Sequence, residues 1–180
     1  MTTEVEIRGP LTENEYTNLL AFLKMKGKLL KEADQLAIFF HVKKDNLSLK
    51  KDHALEKLVL KIGGWHRGNR KEVEVILAKN QFDNALALLK GLGYTLGHKV
   101  TAFRQDFSYK GVQISLKTKA VIGPHYEMET IVSRRDQIAH VKKGLLLVAK
   151  ELRLQVWTEK AYREHTRRMW DAYHPGPQRL

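Results

Sequence analysis

Charge recurs at every second position in segment after segment of this chain, and that period decides what it can fold into. Glu4-Val5-Glu6-Ile7-Arg8 sets two carboxylates and a cation on one side, because side chains two apart on a strand face the same way. The arrangement returns as Glu127-Met128-Glu129. Between these ends come Ser48 and Lys50, then Lys57, Val59 and Lys61, then Glu72 and Glu74, each set in phase. Adjacent like charges repel, and a fold tolerates them best with a metal ion or cationic group between them. A single E-x-E says little, since any solvated strand face alternates. Two such pairs, at opposite ends of the sheet-forming region with cations between, say more.

The spacing predicts strands over residues 3–8, 34–43, 47–51, 55–63, 71–77, 94–109, 111–119 and 125–132. The sixth is expected to bend near Asp106, and a Tyr109-Lys110-Gly111 turn should lead into the seventh. Gly9-Pro10 is expected to end the first strand. Thr12 followed by Glu15 is a capping box, opening a helix with Leu19, Leu20, Phe22 and Leu23 on its apolar face and an end near Gly27. Further helices are expected over 80–91, 134–151 and 158–173, with one domain over 1–173 and a frayed tail over 174–180.

Many joins are too short for crossover helices, so the strands should pair antiparallel. Eight such strands can close into a barrel without edges. The fold class expected is α+β: an eight-stranded antiparallel barrel with flanking helices. If the charged faces point inward, the barrel encloses a charged tunnel; if outward, they are solvated faces.

The chain has 180 residues, a formal charge of +12 and no cysteine. Thiolate metal sites, disulfides and cysteine nucleophiles are excluded. The positive charge favours an anionic partner such as nucleic acid, polyphosphate, a nucleotide or an acidic membrane surface. No apolar run reaches the roughly 18–20 residues of a membrane span, and the first residues lack the regions of a secretory leader. A soluble, cytoplasmic protein with no membrane association is expected.

These residues give the chain a resemblance to the CYTH superfamily, the triphosphate tunnel metalloenzymes, which include class IV adenylate cyclases, thiamine triphosphatases and inorganic tripolyphosphatases. The family's opening E-x-E-x-K is similar to Glu4, Glu6 and Arg8. Its basic L-R-x-R strand falls at Leu47-Ser48-Leu49-Lys50, and its lysine-ended strand at Leu58-Val59-Leu60-Lys61. Its second E-x-E matches Glu72 and Glu74, its K-x-R matches Ala102-Phe103-Arg104, and its G-x-F-x-E-x-E resembles residues 123–129. A late helical tyrosine resembles Tyr162.

The resemblance implies metal-dependent hydrolysis of a triphosphate, either inorganic tripolyphosphate or a nucleoside triphosphate such as ATP. It implies Mg2+ or Mn2+ held by Glu4, Glu6, Glu127 and Glu129, which with Lys61 would be the catalytic set. It assigns phosphate contacts to Arg8, Lys50, Lys61 and Arg104 and a supporting role around the metal to Glu72 and Glu74, with Lys117 expected as a variant phosphate contact. A homodimer is consistent with the family. Two other activities fit: a class IV adenylate cyclase making cyclic AMP and pyrophosphate, and a non-catalytic module binding triphosphates or RNA 5′-triphosphate ends.

The chain departs from the family pattern at four positions. Arg8 stands where lysine is usual, Ser48 replaces an arginine, and Ala102 replaces a lysine. Lys117 stands where an acidic residue usually helps the metal. Lys99 is five residues from Arg104, which puts it on the opposite face, so it is not a substitute.

The cationic loop Gly63 to Arg70 lacks the P-loop pattern and reads as a hairpin that could cover a tunnel mouth. His41, His53, His66 and His98 read as surface or supporting residues. Leu145, Leu146, Leu147 and Val148 read as core. The last helix interleaves Arg163, Arg167 and Arg168 with Tyr162, Trp170 and Tyr173, with Trp157 just before it. Packing on the barrel is the expectation, with nucleic-acid binding as the alternative.

Overall fold

The computed structural model describes residues 2–63, 68–118 and 123–173. Residues 64–67 of the expected cationic loop, residue 119 of the seventh expected strand and the tail 174–180 lie outside the described residues.

The order is β1 (Thr2–Pro10), α1 (Glu13–Lys26), β2 (Lys28–Phe40), β3 (Asn46–Lys51), β4 (Glu56–Ile62), β5 (Asn69–Leu77), α2 (Phe82–Gly91), β6 (Leu96–Tyr109), β7 (Val112–Thr118), β8 (His125–Val132), a short 3₁₀ turn (Arg135–Gln137), α3 (Ile138–Glu151) and α4 (Glu159–Tyr173). The eight strands close antiparallel into a barrel in the order β1-β5-β4-β3-β2-β6-β7-β8, as the alternation leads one to expect. The β6–β7 turn places Lys110 and Gly111 at positive φ, 51° and 74°, the geometry that lets a tight hairpin follow the strand twist.

The charged faces point inward. Glu6 lies opposite Glu129 and Arg8 opposite Glu127 across β1–β8. Lys61 lies opposite Glu72 across β4–β5, and Arg104 opposite Lys117 across β6–β7. Two carboxylates directly opposite one another would be destabilising without the cations that alternate around the ring. The apolar core therefore lies outside the barrel wall. One cluster joins Val5, Ile7, Phe107, Ile114, Leu116, Tyr126 and Met128 to Leu19 and Leu23 of α1 and Leu145 and Val148 of α3. A second joins Ile38, Phe40, Leu47 and Leu49 to Phe82 and Leu89 of α2. Leu146 and Leu147, expected in the core, are exposed, because a helix against the barrel buries one stripe only.

Three boundaries differ from expectation. β1 continues through Gly9 and Pro10, which pair with Tyr126 and His125. Gly9 is needed there for close approach: a Cβ would stand 1.8 Å from the Gln155 carbonyl oxygen. β2 begins at Lys28 rather than residue 34, drawn into the ladder by the length of β6, with an irregularity between Leu29 and Lys31 opposite Phe107 and Asp106. The bend expected in β6 near Asp106 thus appears as a disturbed register facing it. β5 begins at Asn69, which carries Arg70 into the sheet.

Thr12 caps α1 by the expected reciprocal box with Glu15. Thr12→Ala is expected to cost about 1 kcal/mol, read as a lower midpoint in urea denaturation.

Candidate functional site

Two cavities open from the barrel interior, of about 540 Å³ and about 470 Å³. Both are lined by Gln35, Lys50, Lys61, Arg104 and Glu129, so they are two ends of one passage. The ends differ in charge. Among the described residues, the α4 end presents Arg8, Lys50, Lys61, Arg70, Arg104, Lys117, Arg163 and Arg167 against Glu6, Glu127 and Glu129. The far end sets Lys31, Lys50, Lys57, Lys61 and Arg104 against Glu4, Asp52, Glu72, Glu74, Asp106 and Glu129. An anion therefore enters more favourably at the α4 end.

Inside, each acid has its own arrangement. Glu4 pairs with Lys61 through one oxygen, while its Oε1 is buried without a hydrogen-bond partner among the described residues. Glu6 lies 2.8 Å from Arg8 and 3.2 Å from Arg70. Glu127 pairs with Lys117. Glu129 accepts a 2.8 Å hydrogen bond from the neutral Gln113 amide, and Arg104 stands 3.8 Å away. Lys61 also reaches Glu72 at 3.0 Å, and Lys57 pairs with Glu74. Glu72 and Glu74 thus line the far half of the tunnel. Arg104 is aimed by Asp106 at 2.6 Å and by the Ser115 hydroxyl at 2.9 Å. The residues expected from sequence all line this passage.

Lys50 differs from the other tunnel lysines. No ion pair to it occurs among the described residues, and Lys57 lies directly opposite on β4. Burial and the charges of Lys61, Lys117, Lys57 and Arg104 push its ammonium down to about 7. Burial, reinforced by Glu4 and only partly offset by Arg104, pushes Glu129 up to about 7. Burial also raises Glu6, with Arg8 opposing and Glu127 adding to the rise. Glu127 is pulled the other way: burial would raise it, but Lys117, Arg8, His125 and Arg104 together hold it well below the usual carboxylate range.

Sequence reading missed Arg70, assigning it to a loop. It is buried on β5 and bonds Glu6. It stands in phase with Glu72 and Glu74, and carrying that alternation one step back would have found it. His41, His98 and His125 line the α4 end, His125 being almost fully buried; His53 is exposed and lines neither cavity. Lys99 is exposed on the outer face, as expected.

α4 does more than pack. Arg8 lies 4.1 Å from the Tyr162 ring centroid, a stacked cation–π contact. Trp157 packs 4.5 Å from the His165 ring, and its backbone N–H donates to the Arg8 carbonyl at 2.9 Å. Arg163 and Arg167 line the opening, while the side chains of Trp170 and Tyr173 lie outside the described residues.

Among the described residues, no helix is long and apolar enough to cross a membrane, and no three acidic or imidazole groups form a ready-made metal cage.

Comparison with solved structures returns the same fold. The PH1012 protein of Pyrococcus horikoshii superposes with a TM-score of 0.75 at 19% identity, over 86% of this chain and 94% of that one. An adenylate cyclase candidate from Vibrio parahaemolyticus gives 0.72 at 16% identity, over 91% and 97%. The adenylyl cyclase candidate HpAC1 of Hippeastrum, described as having a dominant triphosphatase activity, gives 0.59 at 16%, over 87% and 90%. No curated protein matches the chain. The CYTH domain family matches it over residues 2–162. With its closed barrel and inward ring of alternating acids and bases, the chain belongs to the CYTH family, whose chemistry is triphosphate-related.

Proposed function

We propose that this protein hydrolyses a triphosphate, inorganic tripolyphosphate or a nucleoside triphosphate, inside the barrel with the help of Mg2+ or Mn2+. The observation that carries the reading is the cation excess at the α4 end of a tunnel whose other wall is carboxylate. Arg8, Lys50, Lys61, Arg104 and Lys117 bind phosphate oxygens through charge-assisted hydrogen bonds. Their fixed positions stabilise the charge that gathers on the leaving phosphate without reorganising at the moment of reaction. The wall limits the water that reaches the phosphates, which strengthens each contact.

The donor set fits a hard divalent cation. The Glu4 Oε1 is buried and without a hydrogen-bond partner among the described residues, and Glu129 has only a neutral amide within hydrogen-bond distance. Glu4, Glu6 and Glu129 would hold the ion, which would offset phosphate charge when bound. Glu127, the fourth acid assigned to metal by resemblance, is engaged by Lys117, as Glu4 is by Lys61 and Glu6 by Arg8 and Arg70. RNA 5′-triphosphate ends as ligands belong to the same reading, supported by the basic α4 end, and a cytoplasmic location and a homodimer are proposed with it.

The test is a panel of tripolyphosphate, thiamine triphosphate, nucleoside triphosphates and 5′-triphosphorylated RNA, in Mg2+ and in Mn2+, with the products separated. Orthophosphate with the matching diphosphate is expected, and Glu129→Gln should lower turnover at least about 100-fold. Cyclic AMP with pyrophosphate would assign the cyclase reaction instead, and tight binding with no product would assign a binding module.

A further inference from the structure

Most of the inward face of the barrel is charged, but one sector is not. Residues directly opposite on paired strands point to the same side of the sheet. Ala37 lies opposite Lys50 on β3 and opposite Val100 on β6, Phe39 opposite Ser48, and Ala102 opposite Gln35. Ala37, Phe39, Val100 and Ala102 all line the α4 cavity and not the far one. Along β6 the sequence runs from Val100 and Ala102 to Arg104, which lines both, so the apolar sector lies on the mouth side of the shared cations. In the ring order, β2 and β6 stand across the barrel from β1 and β5. On the β1 side are Trp157, whose backbone N–H donates to the Arg8 carbonyl, and Tyr162, stacked on Arg8. Both line the same cavity. The rings of Phe39, Trp157 and Tyr162 are half-buried. The cavity's volume of about 540 Å³ falls in the range of about 300–1,000 Å³ common to sites that enclose a small organic molecule.

We propose that this apolar sector and the aromatic side chains facing it hold a flat aromatic group, so that the substrate is a triphosphate ester carrying such a group rather than inorganic tripolyphosphate. This rests on the triphosphate reading above and narrows it. A chain of phosphates gains nothing from Ala37, Val100 and Ala102, which offer it no side-chain donor. Apolar wall contributes when an apolar group covers it, and the two alanines leave room for one. The triphosphate runs inward to Lys50, Lys61 and Arg104, and the ring stays at the α4 end beside Phe39 and Trp157. Stacking on aromatic side chains accepts any flat ring, because each has a π face. The sector therefore selects a class of ester and not one base. Charge alone would favour tripolyphosphate, which has one more ionisable oxygen than an ester. A preference for the ester thus reports the ring contact.

Calorimetric titration of the full chain in EDTA tests this with ATP and thiamine triphosphate, compared with tripolyphosphate and with methyl triphosphate, an ester that has no ring. At least one of the two ring-bearing esters should bind about tenfold or more tighter than methyl triphosphate. Ala102→Lys puts a charge into the apolar sector. It should weaken the ring-bearing ester about tenfold or more and leave tripolyphosphate affinity unchanged or tighter. Phe39→Ala decides the matter if Ala102→Lys fails to fold by circular dichroism; it should cost the ring-bearing ester about tenfold and leave tripolyphosphate unchanged. Ring-bearing esters that bind no tighter than methyl triphosphate would overturn the proposal. So would folded variants that weaken the ester and tripolyphosphate alike, or neither. Where tripolyphosphate still binds the wild-type chain, those results remove this inference alone. A chain that binds none of these ligands would remove the triphosphate reading with it.

Discussion

Lys50→Met should make the protein more stable and weaken its hold on a triphosphate at least tenfold. Lys50 stands in the tunnel among cations, with its pKa lowered to about 7 by burial and by Lys61, Lys117, Lys57 and Arg104. An unfolded lysine titrates near 10.5. Between about pH 7 and 10.5 the unfolded chain holds the extra proton, so stability rises with pH across that window. Below pH 7 the full penalty of a charged Lys50 is present. Methionine removes it, and the gain should be about 2–3 kcal/mol at pH 6, fading toward pH 10.5. That is less than a full desolvation would give, because the side chain is only partly buried. Urea denaturation at pH 6 and pH 9 measures both the gain and its pH dependence. A destabilised variant at pH 6 would contradict the assignment. The cost falls on binding, since one charge-assisted contact is worth about tenfold or more. A triphosphate brings Lys50 back to its charged form, so wild-type affinity should fall as pH rises above about 7, with proton uptake on binding. A residue that opposes folding and serves a ligand is what a strained functional site contains.

Arg8→Ala has the opposite sign. Arg8 is buried, lies 2.8 Å from Glu6 and covers the Tyr162 ring. Removing it leaves Glu6 with Arg70 alone, facing Glu129 across the strands. Breaking one side of a buried pair costs about 3–5 kcal/mol. Burial already raises Glu6, and without Arg8 it rises further. A carboxyl whose folded pKa exceeds its unfolded value loses stability as pH rises through that range. The loss should therefore be smaller near pH 4.5 than at pH 8. Arg8→Lys keeps the charge and loses the stacking, and should retain most of the stability. Equal losses at both pH values for Arg8→Ala would show a packing effect rather than a charge effect.

What could be read from sequence follows from how far each signal reaches. Glu4 with Glu6, and Glu127 with Glu129, were legible because a strand's period is two and each pair lies within one strand. The inward direction was not legible from alternation, which looks the same on a solvated face. It becomes clear only when the outer face is seen packed on α1, α2 and α3. Arg70 was obscured because its alternation begins inside a glycine-rich run. Which base meets which acid could not be read at all. Glu4 finds Lys61, and Glu6 finds Arg70, because β5 and β4 follow β1 in the ring, although they are distant in sequence. Tyr162 looked like packing, yet the Trp157–Arg8 backbone bond seats α4 over the opening and turns that ring onto Arg8.

The central claim is that the barrel interior binds a triphosphate. Calorimetric titration of tripolyphosphate into the full chain at pH 7, in two buffers of different ionisation enthalpy, tests it most directly. The expected result is one site per chain, an affinity that weakens with salt, net proton uptake, and a loss of about tenfold or more in Arg104→Ala. No binding, or binding that Arg104→Ala and Lys50→Met leave unchanged, would contradict it.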